Sequence, residues 1–127
     1  MERSRDWMDQ AESDLRHAAS DIEGGFYDWA CFSSQQAAEK AVKAVCRRPG
    51  AGASVADLLA ELAERHPVAE RLREAALELD QAYIPTRYPN AHPSGAPGTR
   101  YTRAQAERLL GYAAEITKFC SGLLSGR

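Results

Sequence analysis

YIPTRYPNAHPSGAPGTRYT, residues 83–102, decides how the rest of the chain is read. Pro85, Pro89, Pro93 and Pro97 recur at every fourth position. A proline inside a helix removes a backbone donor and clashes with the preceding turn, so the stretch cannot be regular helix. Gly95 and Gly98 add turn potential. It is nevertheless rich in chemistry, with Tyr83, Tyr88, Tyr101, Arg87, Arg100, Asn90 and His92. Disordered segments are poor in aromatic residues, and long loops in compact domains usually carry function. The expectation is an ordered functional loop between two helices, mobile only near Ser94–Gly98.

Outward from this loop, both flanks show helical periodicity. On the N-terminal side, Met8, Ala11, Leu15, Ala18 and Ile22 fall on one stripe of a helix from about Arg5 to Glu23, with Ser4 as its cap. Gly24-Gly25 closes it with a turn short enough to force an antiparallel neighbour. The second helix, about Tyr27 to Cys46, has a stripe of Tyr27, Ala30, Cys31, Ser34, Ala38, Ala41, Val42 and Val45. Pro49, Gly50 and Gly52 break the chain, and Ser54 caps a third helix of about Val55 to Arg65. Pro67 starts a fourth, about Val68 to Ala82. After the loop, Thr102 and Gln105 form a capping box for a last helix that runs to about Leu124. No strand pattern, internal repeat or low-complexity tract interrupts this series. The fold expected is a single all-α domain over residues 1–127, an up-and-down bundle of four to five helices.

Bulk properties narrow the function. A chain of 127 residues can bury a substantial core. A formal net charge of −2 supplies no global field toward nucleic acid or anionic lipid, so an anion site must be local. Cys31, Cys46 and Cys120 lack metal or redox spacing and sit in helical patterns, which fits buried thiols in a reducing compartment. With the charged start, Glu2 to Asp9, no signal peptide is expected, and no apolar run reaches membrane-spanning length. A cytoplasmic location is expected.

Three blocks together carry a family resemblance. FYDWACFSSQQAAEKAVKAV (residues 26–45) follows the Gly-Gly turn, Leu79-Asp80 precedes YIPTRYPNA (83–91), and Tyr101-Thr102 opens the last helix. The chain resembles the HEPN domain family (higher eukaryotes and prokaryotes nucleotide-binding) over essentially its whole length. The resemblance implies a helical bundle that forms a homodimer, often beside a small nucleotidyltransferase in toxin–antitoxin-like pairs. Many members are metal-independent ribonucleases with an Arg-x4-6-His motif. Arg87 and His92 match that spacing, and no other arginine here does. Nuclease members usually have a polar residue after the arginine and place the motif in or beside a helix. Here Tyr88 follows, and Pro89 and Pro93 exclude regular helix. The YIPTRYPNA form resembles the nucleotidyltransferase-associated branch.

The resemblance, weighed with the residues, leaves three functions open. The first is an accessory subunit that binds nucleotide or RNA through Arg87, with Tyr88, Asn90, Glu39 and Lys40 as further ligand contacts. Guanidinium matches phosphate geometry, and aromatic rings stack on unpaired bases. The second is a metal-independent endoribonuclease in which Arg87 holds the phosphate and His92 transfers the proton. The third is a non-catalytic interaction module in which Arg87 pairs with Glu39 and the loop is a clamp. Gln36, Lys40 and Lys43 read as a solvated face. Tyr83, continuing the Leu72–Leu79 stripe, reads as a core anchor, and Trp7 and Trp29 as core or dimer contacts. His17 and His66 lack partners at ligand spacing, so no metal and no cofactor are expected. The alanine-rich second helix and the Phe119–Leu124 end of the last helix carry more apolar surface than a thin bundle hides, which points to a homodimer.

Overall fold

The computed structural model describes residues 3–46, 54–83 and 100–126. Among the described residues there are five helices: α1 (Ser4–Glu23), α2 (Tyr27–Cys46), α3 (Val55–Leu62), α4 (Glu70–Gln81) and α5 (Arg103–Ser125). Among the described residues there is no strand.

The turn between α1 and α2 follows from two glycines. Gly25 has φ +82°, the left-handed region that favours glycine. The Phe26 amide then donates to Asp21 O at 2.8 Å and the Gly25 amide to Ile22 O at 3.1 Å, which satisfies the last carbonyls of α1. Trp7 of α1 accordingly lies beside Lys43 of α2, and Glu23 at the other end meets Arg103 of α5. Arg71 and Glu78 of α4 pair with Glu115 and Arg108 of α5, so these two helices are antiparallel. The four long helices thus alternate in direction. The short α3 lies along α2, its Leu58 carbonyl receiving the Cys46 thiol at 3.7 Å.

Helix α2 is the axis of the bundle. It touches all four other helices, and 15 of its 20 residues are buried. Small side chains permit this: Ala30, Ala37, Ala38, Ala41 and Ala44 are fully buried. Leu59, Leu62, Leu79 and Ile116 fill the space around them, each contributing roughly 1.5–3 kcal/mol on leaving water. The alanines expected to be left over for a second copy are therefore covered within the chain.

Helix ends differ from expectation at three places. Arg3, not Ser4, precedes α1, and Ser4 is a buried first residue. Helix α3 stops at Leu62, with the next residues in turns rather than helix. Helix α4 starts at Glu70, because Ala69 is extended (φ −60°, ψ 141°) and Pro67 and Val68 belong to the connection, where Val68 packs on the core. The Ser54 cap (Asp57 amide to Ser54 Oγ, 2.8 Å) and the Thr102–Gln105 capping box are both present as expected.

Candidate functional site

Three aromatic side chains meet where the N-terminal half of α2 passes the end of α4. Trp29 and Phe32 are three residues apart on α2, hence on one face. Their rings meet edge to face at 6.2 Å, and Phe32 stacks on Tyr83 at 5.8 Å with 26° between planes. Trp29 is 44 % exposed and Tyr83 39 %. Tyr83 is thus a surface ring and not the core anchor its position in the stripe suggests. Helix α4 ends at Gln81, and Ala82, buried, takes the inward place one residue earlier. Trp29 is likewise on the surface, whereas Trp7 packs on the core beneath Lys43.

Below this aromatic row, α2 carries polar side chains into the interior. Gln35 is only 2 % exposed. It accepts from Gln36 Nε2 at 2.8 Å and donates to Asp80 Oδ1 at 3.4 Å. Asp80 sits on the last turn of α4. Its Oδ1 also accepts from the Val55 amide at 2.8 Å, and its Oδ2 from the Ala56 amide at 3.0 Å. One carboxylate thereby ties α2, α3 and α4 together and satisfies two of the open amides at the start of α3.

One turn further along α2, Glu39 and Lys43 form a buried pair, Nζ to Oε2 2.7 Å, with Lys43 Nζ 5.7 Å above the Trp7 ring. Lys43 therefore lies inside the bundle, not on a solvated face. Lys40 Nζ is 2.7 Å from Asp14 Oδ2 of α1. Of the expected ligand contacts, Glu39 and Lys40 are thus committed to partners within the bundle. Arg87, Tyr88, Asn90 and His92 lie outside the described residues, as does the expected mobility near Ser94–Gly98.

The remaining reactive groups are either tied to neighbouring side chains or buried. His17 Nδ1 meets Ser33 Oγ at 3.0 Å and lies 3.3 Å from Asp21 Oδ2. Both contacts use one ring nitrogen, which is not the arrangement of a nucleophile, base and orienting acid. Burial holds the Asp21 carboxyl above its usual range, against the attraction of His17 and with a further push from Asp28. The Cys31 and Cys120 thiols are pushed up to about 12, first by burial and then by Asp28 and Cys46 respectively, Arg108 opposing at Cys31. Such thiols are poor nucleophiles. Among the described residues no three His, Cys, Asp or Glu side chains group as metal ligands, and no helix is long and apolar enough to cross a membrane. An open groove of about 730 Å³ runs between the start of α4 and the end of α5. It is lined by Pro67, Leu72, Phe119 and Leu123, with the Arg71–Glu115 pair at 2.9 Å on its rim.

Sequence reasoning missed Asp80 as the knot between three helices. The Leu79-Asp80 pair and the Ser54 cap were both visible, but nothing in the spacing says that the end of one helix meets the start of another.

Comparison with known proteins gives a consistent result. The HEPN domain model matches residues 4–123. The crystal structure of TT1696 from Thermus thermophilus is 49% identical, covers 96% of this chain and 98% of its own, and superposes with a TM-score of 0.91. The HEPN domain protein TM0613 of Thermotoga maritima is 54% identical, with coverage of 94% and 97% and a TM-score of 0.76. ST0689, an archaeal HEPN homologue, is 36% identical, with coverage of 97% and 98% and a TM-score of 0.80. Among curated proteins none matches the chain. With a family model spanning almost all of the sequence and relatives of the same fold at this identity, the chain belongs to the HEPN domain family.

Proposed function

We propose that this HEPN domain protein is a nucleotide- or RNA-binding accessory subunit of a nucleotidyltransferase pair of toxin–antitoxin type, with Arg87 as the phosphate contact. The observation that supports this reading is the half-exposed ring row Trp29–Phe32–Tyr83. It stands where the chain leaves α4, four residues before Arg87. Aromatic faces suit an unpaired base, and a guanidinium suits its phosphate. Tyr88 and Asn90 follow as further contacts. The competing reading is the ribonuclease, in which His92 transfers a proton.

Labelled RNA incubated in EDTA with wild type, Arg87→Ala and His92→Ala separates the two. The accessory reading expects binding without cleavage, lost in Arg87→Ala and kept in His92→Ala. Cleavage to cyclic-phosphate ends, lowered by about two to four orders of magnitude in His92→Ala, would establish the nuclease instead. Purification from the native host tests the partner: a co-eluting nucleotidyltransferase is expected, and its absence counts against the pairing.

The same reading includes a two-fold homodimer. With the α2 alanines covered, its support is the apolar end of α5, where Phe119, Leu123 and Leu124 are only partly buried beside the α4–α5 groove. Sedimentation equilibrium should give twice the chain mass, and a monomer would remove this part of the proposal.

A further inference from the structure

We propose that the groove between the start of α4 and the end of α5 docks an amphipathic helix of a partner protein, one that carries a carboxylate beside its apolar stripe. The α5 wall is a single helix face. Glu115, Lys118, Phe119, Gly122 and Leu123 line it at three- and four-residue steps. Leu72 of α4 and Pro67 of the preceding link stand opposite. Phe119 and Leu123 pack on the core yet are only partly buried, so the chain itself leaves apolar surface uncovered here.

Shape favours a helix as the occupant. Two antiparallel helices form the valley, so no strand edge is offered to an extended peptide, and a third helix laid between them is the packing that such walls accept. A Cβ added at Gly122 would meet no atom within 4 Å, so the valley is open down to the backbone of α5 and another helix has room to approach closely. From Glu115 to Leu123 the stripe rises about 12 Å, the length of two to three helical turns.

Charge sets the remaining requirement. The lining holds two cations, Arg71 and Lys118, and one carboxylate, Glu115. Arg71 Nη2 already meets Glu115 Oε2 at 2.9 Å. Lys118 is exposed and pairs with no carboxylate among the described residues, so it is the charge left over. An occupant that covers the apolar floor takes water away from this ammonium, and a carboxylate on the occupant offsets that loss. Leu124 is not part of the lining, so a second copy can pack on that flank of α5 while the groove stays open.

The test uses the full chain in its native host, with the photo-crosslinking residue p-benzoylphenylalanine in place of Ala69 at the exposed edge of the groove. Irradiation is expected to join it to another protein. The joined peptide should carry apolar residues at three- and four-residue steps with an Asp or Glu among them. A captured protein without that pattern counts against the proposal. Gly122→Leu fills the groove without a clash and should abolish the cross-link with no fall in thermal midpoint. Gly111→Leu, equally free of neighbours but outside the groove, should leave the cross-link intact. Lys118→Glu should weaken binding of the synthetic joined peptide at least about tenfold, and exchanging that peptide's carboxylate for Lys should restore it. A cross-link only to a second copy, no cross-link at all, or binding indifferent to Lys118→Glu would each overturn the proposal. None of these outcomes depends on whether the chain binds nucleotide or RNA.

Discussion

Two carboxylates of the polar interior, Glu39 and Asp80, are held in opposite ways. Glu39 is neutralised by a cation from its own helix, Lys43 at 2.7 Å, whose Nζ also lies 5.7 Å over the Trp7 ring of α1. Asp80 is satisfied instead by backbone amides of α3 and an amide side chain of α2. The first arrangement leaves a helix unchanged if both members are replaced together. The second cannot be replaced piecewise, because two of its donors are main-chain groups that no ordinary substitution removes. A buried pair inside one helix can be a matter of stability alone, whereas a carboxylate between three helices sets their relation.

The largest effect expected of any substitution follows from the Glu39–Lys43 pair. Its side chains are 9 % and 4 % exposed, so Lys43→Met leaves a buried carboxylate without its cation. Removing one member of such a pair costs about 3–5 kcal/mol. Glu39→Met together with Lys43→Met should recover most of this, since apolar replacements of similar volume are often neutral. Urea unfolding of the wild type, the single and the double variant checks both statements. A double variant as unstable as the single one would show that contacts beyond α2, the Trp7 ring of α1 among them, outweigh the ion pair, and would erase the contrast with Asp80.

Asp80→Asn should have a smaller effect on stability, about 1–2 kcal/mol, the usual scale for losing a helix cap and stranding an amide. The start of α3 is only partly buried, and water can reach part of the loss. Urea midpoints measured alongside those of Lys43→Met give the ranking directly. The reverse order would mean that the three-helix knot, and not the α2 pair, dominates the interior.

The contrast also explains which parts of the molecule are legible in the sequence. Periodicity locates the five described helices, because each buries one stripe and the stripe repeats locally. The start of α2 is readable to the residue because glycines precede it. The start of α4 is not, since Pro67 fits a first helical turn as well as the extended link it occupies. The polar interior is not legible either. Glu39 and Lys43 are four apart, a spacing equally common on wet surfaces, and only packing on both sides turns it inward. Asp80, Val55 and Gln35 are far apart in sequence, and no local rule brings them together. The family is legible from the second helix and the YIPTRYPNA block together.

Asp21 sharpens the comparison from the weak end, because it has neither solution. Its Oδ2 is buried with no hydrogen-bond partner, while His17 Nδ1, 3.3 Å away, is hydrogen-bonded to Ser33 Oγ. Burial raises the Asp21 carboxyl above its ordinary 3.8, His17 pulls it back, and Asp28 adds to the rise. The fold therefore prefers Asp21 protonated. That preference contributes stability fully below about 3.8 and loses it as pH rises through the higher folded value. At neutral pH the charged carboxylate is a small liability. Asp21→Asn should accordingly be slightly more stable than wild type at about pH 7, and the two should converge near pH 3. Urea midpoints at the two pH values measure this. An Asn variant less stable at neutral pH would mean that the His17 attraction outweighs burial, and that Asp21 belongs with Glu39 as a carboxylate held by a cation.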